Sequence, residues 1–336
     1  MTIEIASADG LTPAEWNGLV ERARYTDAMH QWEALAVIAR ETDSTVHRLI
    51  GYKGQEPVGI FPVFERRYGP ITAVFSPPPG LRIVYLGPGL LNMDKLTQRK
   101  TERRQRAFID GVLAWIDERI DPSYIHVRTT PGYPDVRPFT WNDCTASPSY
   151  TYHVDITGPE SDLLDRFSRD ARTNIRDAAA ADYDVDERGP EGIDRIVEQV
   201  RSRYAAQDVP YDVTPSFVRE LYEQTPDGTI RPFTCRVDGS FVGGILAVES
   251  GDTIARWQGG VKPDVDSDFP INDVLDWDVM RAGREIGCTT YDLVGANSPR
   301  INRYKSKFGP RLTPFYEIER ASLLGSLAAR LYKHRK

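Results

Sequence analysis

The stretch RPFTCRVDGSFVGGILAVESGDTIARWQGGV, residues 231–261, decides the fold. Two short polar turns, DGS and SGD, cut it into three runs of strand length. Turns this short join antiparallel neighbours, so the stretch reads as a three-strand meander. Working outward, GPEGIDRIVEQVRSRYAAQ (189–207) and TPSFVRELYEQT (214–225) read as helices before it. Ahead of those come the strand SYTYHVDI (149–156), one helix over ESDLLDRFSRDARTNIRDAAAA (160–181) and the strand YDVDER (183–188). After the meander, PINDVLDWDVMRAGREIG (270–287) reads as a helix that Gly287 stops. TYDLVGA (290–296) is a buried strand and TPFYEIER (313–320) the last strand.

The N-terminal part repeats the plan. TIEIAS (2–7) is a strand, and TPAEWNGLVERARY (12–25) a helix with Thr12 as N-cap, Pro13 at the first helical position and Glu15 completing a capping box. VHRLIGYKGQEPVGIFPVFERR (46–67) is a hairpin turning at KGQE, followed by strands ITAVFS (71–76) and RIVYLG (82–87). Residues 94–120 form a long helix that turns Phe108, Val112, Leu113, Trp115 and Ile116 toward a core, and YIHVRTT (124–130) closes as a strand. Each half thus runs strand, helices, meander, helix, strand. The fold class is α+β, with mixed sheets in two tandem domains, 1–147 and 148–320, divided near the loop RPFTWNDCTASP. Residues 321–336 read as a C-terminal amphipathic helix.

Composition bounds the function. The chain has 336 residues, 40% apolar and 27% charged, with a net charge of −7. That balance is of a globular protein and argues against a broad grip on nucleic acid or anionic membrane. No run of about eighteen apolar residues and no signal peptide is read, so the expectation is a cytoplasmic protein without a membrane span. Cys144, Cys235 and Cys288 stand apart without a CxxC and read as buried, reduced thiols. Abundant Asp with only eight Lys resembles halophile composition. No metal site is expected: His30, His47, His126, His153 and His334 lack ligand spacing, and DVDSDF (264–269) lacks the Gly and Glu of a calcium loop. P-loop, GxSxG and dinucleotide motifs are absent.

Three segments carry a family resemblance. TYHVDITGPESDLLDRFSRDARTNIRDAAAADYDV, DWDVMRAGREIGCTTYDLVGA and INRYKSKFGPRLTPFYEI resemble, in order and spacing, the FemAB-like (BioF2-like) branch of the GNAT acyltransferase superfamily. The resemblance covers roughly residues 148–320. It implies tandem GNAT-like domains and transfer of an acyl or aminoacyl group to an amine, such as one on a cell-envelope precursor or amino sugar. It also implies that Lys305, in the closing RYKSKFG, is the electrostatic stabiliser of the acyl-transfer intermediate, and that Tyr211 stands where an acceptor-binding aromatic belongs. Gln207-Asp208 replaces the expected basic residue before it, which departs from a peptidoglycan-precursor acceptor. Read from the residues alone, Lys305 and Lys307 are either a cleft lysine with its neighbour or two solvated turn lysines, with Tyr304 and Phe308 anchoring the turn.

Other binding candidates follow from periodicity. Arg169, Arg172 and Arg176 share a helix face. Arg172 and Arg176 suit a phosphate or carboxylate, or else ordinary surface pairing. On the last meander strand Arg256 and Gln258 fall on one face and Trp257, the better core residue, on the other. The loop VKPDVDSDFPIN (261–272) has no Gly and carries Asp264, Asp266 and Asp268, where a GNAT enzyme holds a pyrophosphate on free backbone N–H groups. No cofactor is therefore assigned. The donor is either an aminoacyl-tRNA or an acyl-coenzyme A bound unconventionally, and oligomeric state is unassigned. Acetyl-coenzyme A is expected to bind more weakly than about 10 μM, near −7 kcal/mol. Calorimetry that returns a tighter constant overturns this. A non-catalytic GNAT-like scaffold that recognises a glycan precursor or partner protein is the alternative function.

Overall fold

The computed structural model describes residues 2–178, 183–261, 270–322 and 325. The loop residues 262–269 and most of the C-terminal segment assigned to a helix lie outside the described residues. The chain divides into two compact units, residues 1–149 with 314–336, and residues 150–313.

The first unit contains β1 (Glu4–Ser7), α1 (Pro13–Arg22), α2 (Trp32–Glu41), β2 (Thr45–Lys53), β3 (Glu56–Tyr68), β4 (Ile71–Ser76), β5 (Gly89–Leu90), α3 (Gln98–Arg119), β6 (Tyr124–Arg128) and α4 (Arg137–Thr140). The capping box of α1 is present: the Thr12 hydroxyl accepts from Glu15 N, and Thr12 N donates to the Glu15 carboxylate at 2.8 Å. Helix α3 buries Phe108, Val112, Leu113 and Ile116 as its apolar face requires. Phe108 lies so close to β2 and β3 that a Cβ at Gly51 or Gly59 would sit 2.4 Å from its ring. RIVYLG is not a strand. It makes one bridge, Leu86 to Thr129, because β3 and β6 flank β4 on its two sides and leave it no edge to join.

The second unit takes in most of β7 (Thr145–Asp155), then α5 (Glu160–Arg166), α6 (Arg169–Ala178), β8 (Tyr183–Glu187), α7 (Pro190–Ala205), α8 (Pro215–Gln224), β9 (Ile230–Val237), β10 (Ser240–Ser250), β11 (Thr253–Val261), α9 (Ile271–Glu285), β12 (Thr290–Asp292) and α10 (Pro299–Lys305). The helix expected over 160–181 is two helices. Phe167 turns into the core and the Ser168 hydroxyl accepts from Ala171 N at the start of α6. The meander is β9–β10–β11, all antiparallel.

The strands of the two units are paired on one plan. In the first unit β1–β2–β3–β4 pair antiparallel, β6 joins β4 parallel, and β13 (Arg311–Ala321) joins β6 antiparallel. In the second unit β8–β9–β10–β11 pair antiparallel, β12 joins β11 parallel, and β7 joins β12 antiparallel. The last strand, placed at the sequence level in the second domain, pairs through Glu317–Ala321 with β6 of the first unit. The second core packs Phe167, Trp277, Tyr291 and Phe308 beneath its sheet. Phe167 meets Trp277 and Phe308 edge-on at 5.7 and 5.3 Å.

Candidate functional site

The parallel pair β11–β12 is short. Its register covers only Thr253–Thr290, Ile254–Tyr291 and Ala255–Asp292. Beyond Asp292 the chain leaves the ladder, so backbone groups there need other partners. Val294 has φ 51°, a left-handed value that a β-branched residue adopts only under constraint. The constraint is visible. Val294 N donates to Asp292 Oδ1 at 2.8 Å, and Gly295 N to Thr151 Oγ1 at 3.0 Å. The Lys305 ammonium donates to Val294 O at 2.6 Å and to Gly295 O at 2.9 Å.

Lys305 is therefore neither a turn residue nor surface-reaching. It ends α10 and is 7% exposed. The segment read as a basic turn is this helix followed by one 3-10 turn, Ser306–Phe308, and Gly309 reverses the chain at φ 63°. A Cβ at Gly309 would stand 2.5 Å from Arg166 O. Burial pushes the Lys305 ammonium down to about 8, Arg256 repels it further, and Asp276 and Asp292 only partly oppose the fall. Keeping the charge there costs about 3 kcal/mol, comparable with what two charge-assisted hydrogen bonds return.

Beside Lys305 lies a buried ionic cluster. Asp276 on α9 is fully buried and meets Arg256 Nε of β11 at 2.9 Å. It also accepts from the Tyr291 and Tyr304 hydroxyls, each at 2.5 Å, and the Tyr304 hydroxyl also lies 2.8 Å from Asn272 O. Burial opposes the charge on Arg256, but the Asp276 carboxylate outweighs it and keeps the guanidinium protonated. Burial, then the charge of Asp276, pushes both tyrosines well above their usual range, so they remain donors. Asp292 accepts from Thr151 Oγ1 at 2.5 Å and lies 3.6 Å from His153 Nε2.

Lys307 differs from Lys305. Its ammonium is paired with Asp273, which is fully buried and also accepts from Asn174 Nδ2 at 2.7 Å. Lys307 also lies 4.4 Å above the Tyr304 ring. It is not a solvated turn lysine.

The other candidates divide. Tyr211 donates to Gln258 Oε1 at 3.0 Å and stacks on Tyr204 at 4.8 Å. Arg203 of α7, which spacing did not single out, joins them. It donates to Gly259 O at 3.3 Å and is electrostatically coupled to Arg256 and Tyr211. Burial lowers its pKa first of all. Arg256 and Gln258 thus serve different partners, Asp276 and Tyr211. The ladder register shifts opposite them, between Leu246 and Ala247. Trp257 is buried and meets Phe217 edge-on at 6.2 Å. Arg172 is not drawn into this cluster: its guanidinium donates to Asp165 O and Phe167 O, closing the end of α5. Arg176 is exposed. Spacing along the chain does not single out Asp273 and Asp276 either. Their signal was two carboxylates three apart on the apolar face of α9, where only paired charges survive burial.

All three cysteines are free and buried, and burial pushes Cys144, Cys235 and Cys288 up to about 11, 12 and 11. None is a ready nucleophile. Among the described residues no helix is long and apolar enough to cross a membrane.

Residues 165–306 match the family model described as the acetyltransferase (GNAT) domain. The fold is that of tandem GNAT proteins. FemX superposes with a TM-score of 0.73 over 91% of this chain and 96% of its own, at 13% identity. L-PGS from Bacillus licheniformis gives 0.57 at 12% identity, over 94% of this chain and 95% of its own. A tandem GNAT protein from the clavulanic acid biosynthesis pathway gives 0.51 at 13% identity, over 94% and 98%. No curated protein sequence matches the chain significantly. The FemAB-like resemblance seen in three sequence segments is thus met in the fold.

Proposed function

We propose that the second unit is an N-acyltransferase centre in which Lys305 stabilises the charge that develops on the acyl carbonyl oxygen. One observation carries this reading. Lys305 is held as a buried ammonium where β11 and β12 part, with two of its three N–H groups on Val294 O and Gly295 O. Among the described residues the third N–H has no hydrogen-bond partner and would meet a substrate oxygen, and a fixed cation in a dry site stabilises an oxyanion by about 3–4 kcal/mol. The acceptor amine attacks the acyl carbon, the bond to the donor's oxygen or sulfur breaks, and the leaving alkoxide or thiolate takes up the proton that the amine loses. Arg256, neutralised by Asp276, and the Tyr211–Gln258 pair would border the site and orient polar parts of the substrates. An amine on a cell-envelope precursor or amino sugar is the acceptor class; an aminoacyl-tRNA or an acyl-coenzyme A is the donor.

The assay mixes the full chain with each donor class and amino-sugar or precursor amines, and reads the amide product by mass spectrometry. A product that requires Lys305 supports the reading. Binding of acceptor without turnover for any donor points to the non-catalytic scaffold instead.

A pH dependence follows. Below about 8 the ammonium is intact; above it the charge is lost. Turnover should therefore fall as pH rises through about 8, whereas Lys305→Arg, charged throughout, should push that descending limb upward. Stability moves the other way. The folded pKa lies below the usual 10.5, so between about 8 and 10.5 the unfolded chain holds the extra proton and this position contributes more stability with rising pH. A descending limb that stays put in Lys305→Arg assigns it to another group.

A further inference from the structure

We infer that the first unit holds a site for a divalent transition-metal ion of the zinc class, made by His126, Glu317 and Glu319. The three come from two strands distant in sequence. β6 and β13 pair antiparallel with His126 directly opposite Glu319, and Glu317 lies two residues along, on the same face. One donor atom from each residue lies within 4.8 Å of the others. His126 Nε2 stands 3.8 Å from Glu317 Oε2 and 3.8 Å from Glu319 Oε1. These are ion-pair contacts, longer than a good hydrogen bond, and the Tyr124 hydroxyl also bonds the Glu319 carboxylate, so a metal ion would replace loose contacts among donors that already converge. An ion about 2.0–2.2 Å from each donor in a tetrahedral shell needs donors about 3.3 Å apart, which small side-chain rotations reach.

The surroundings hold these ligands in place. Ser149 Oγ donates to Glu317 Oε1 at 3.1 Å, which orients that carboxylate and leaves Oε2 facing the imidazole. The Tyr124 ring lies parallel to the His126 ring, at 4°. His126 is nearly buried, whereas the two glutamates are partly open, so solvent can supply a fourth ligand and an ion can enter. The ligand set selects the ion. One imidazole and two carboxylates suit zinc, while calcium or magnesium would demand six or more oxygens that this face lacks. Arg128 stands opposite Glu317 and offsets part of the acidic charge, which further disfavours a hard cation held by charge alone. The site lies outside the proposed transfer centre, and its bond pattern would clamp the last strand to β6.

The experiment is calorimetric titration of zinc chloride into the full chain after dialysis against a chelator. One equivalent should bind, and Glu317→Gln/Glu319→Gln should weaken it at least tenfold. Ser149→Ala should weaken it about tenfold, as loss of a ligand's orienting partner does. Unfolding midpoints measured in chelator show whether each variant folds; should the double variant not fold, Glu319→Gln alone carries the comparison. Magnesium and calcium should give no heat. Wild-type binding weaker than about 100 μM overturns the site. So does zinc binding that survives loss of the glutamates, which would place the ion at another histidine–carboxylate pair such as His153–Asp292.

Discussion

Lys305→Met should lower acyl-transfer turnover by about 10²–10³-fold, the usual cost of one lost oxyanion donor. The substitution keeps most of the buried volume and removes a charge that is expensive to hold. It also leaves Val294 O and Gly295 O without their donor, at about 1–3 kcal/mol for a buried group. The two stability terms oppose each other, so the unfolding midpoint should move by a few degrees at most, and kcat should fall with little change in acceptor KM. The alternative is that Lys305 acts only by fixing the left-handed Val294 turn. In that case Lys305→Met would lower stability and leave activity per folded molecule intact, and Lys305→Arg would not alter the pH profile. Turnover measured beside circular-dichroism melts separates the two.

The second large effect is on stability, and it belongs to the other lysine. Lys307→Met leaves Asp273 buried, with Asn174 as its remaining side-chain donor. Removing one partner of a buried ion pair costs about 3–5 kcal/mol, because the surviving charge can neither be solvated nor neutralised cheaply. In a unit of this size that corresponds to a fall in Tm of roughly 6–20 °C. Lys307→Met combined with Asp273→Asn should recover most of the loss, since no unpaired charge then remains. Thermal melts of the four proteins in this cycle give the coupling directly. Additive losses would show that Asp273 is held by something other than Lys307. Two lysines two residues apart thus have opposite predicted signatures, one catalytic and one structural.

What the sequence by itself determined here was local. Periodicity marked the meander, the capping box of α1, the apolar face of α3 and the helix ended by Gly287, because each depends on neighbours within a few residues. The repeated order of elements implied two like α+β units, and the scarcity of lysine drew attention to Lys305. The tertiary structure decided what depends on long-range register. Whether residues 82–87 form a strand depends on a free sheet edge, and β3 and β6 leave none at β4. The last strand follows Gly309 directly, yet its partner is β6, nearly two hundred residues earlier. Lys305 and Lys307 are identical by composition and spacing. They differ because α10 ends against the parted strands β11 and β12, so one ammonium meets two carbonyls and the other a buried carboxylate. His126 carries no ligand spacing along the chain, and only the antiparallel register of β6 with β13 sets it between Glu317 and Glu319. Charge and burial at a site are sums over neighbours that sequence distance does not order, and folding alone supplies those neighbours.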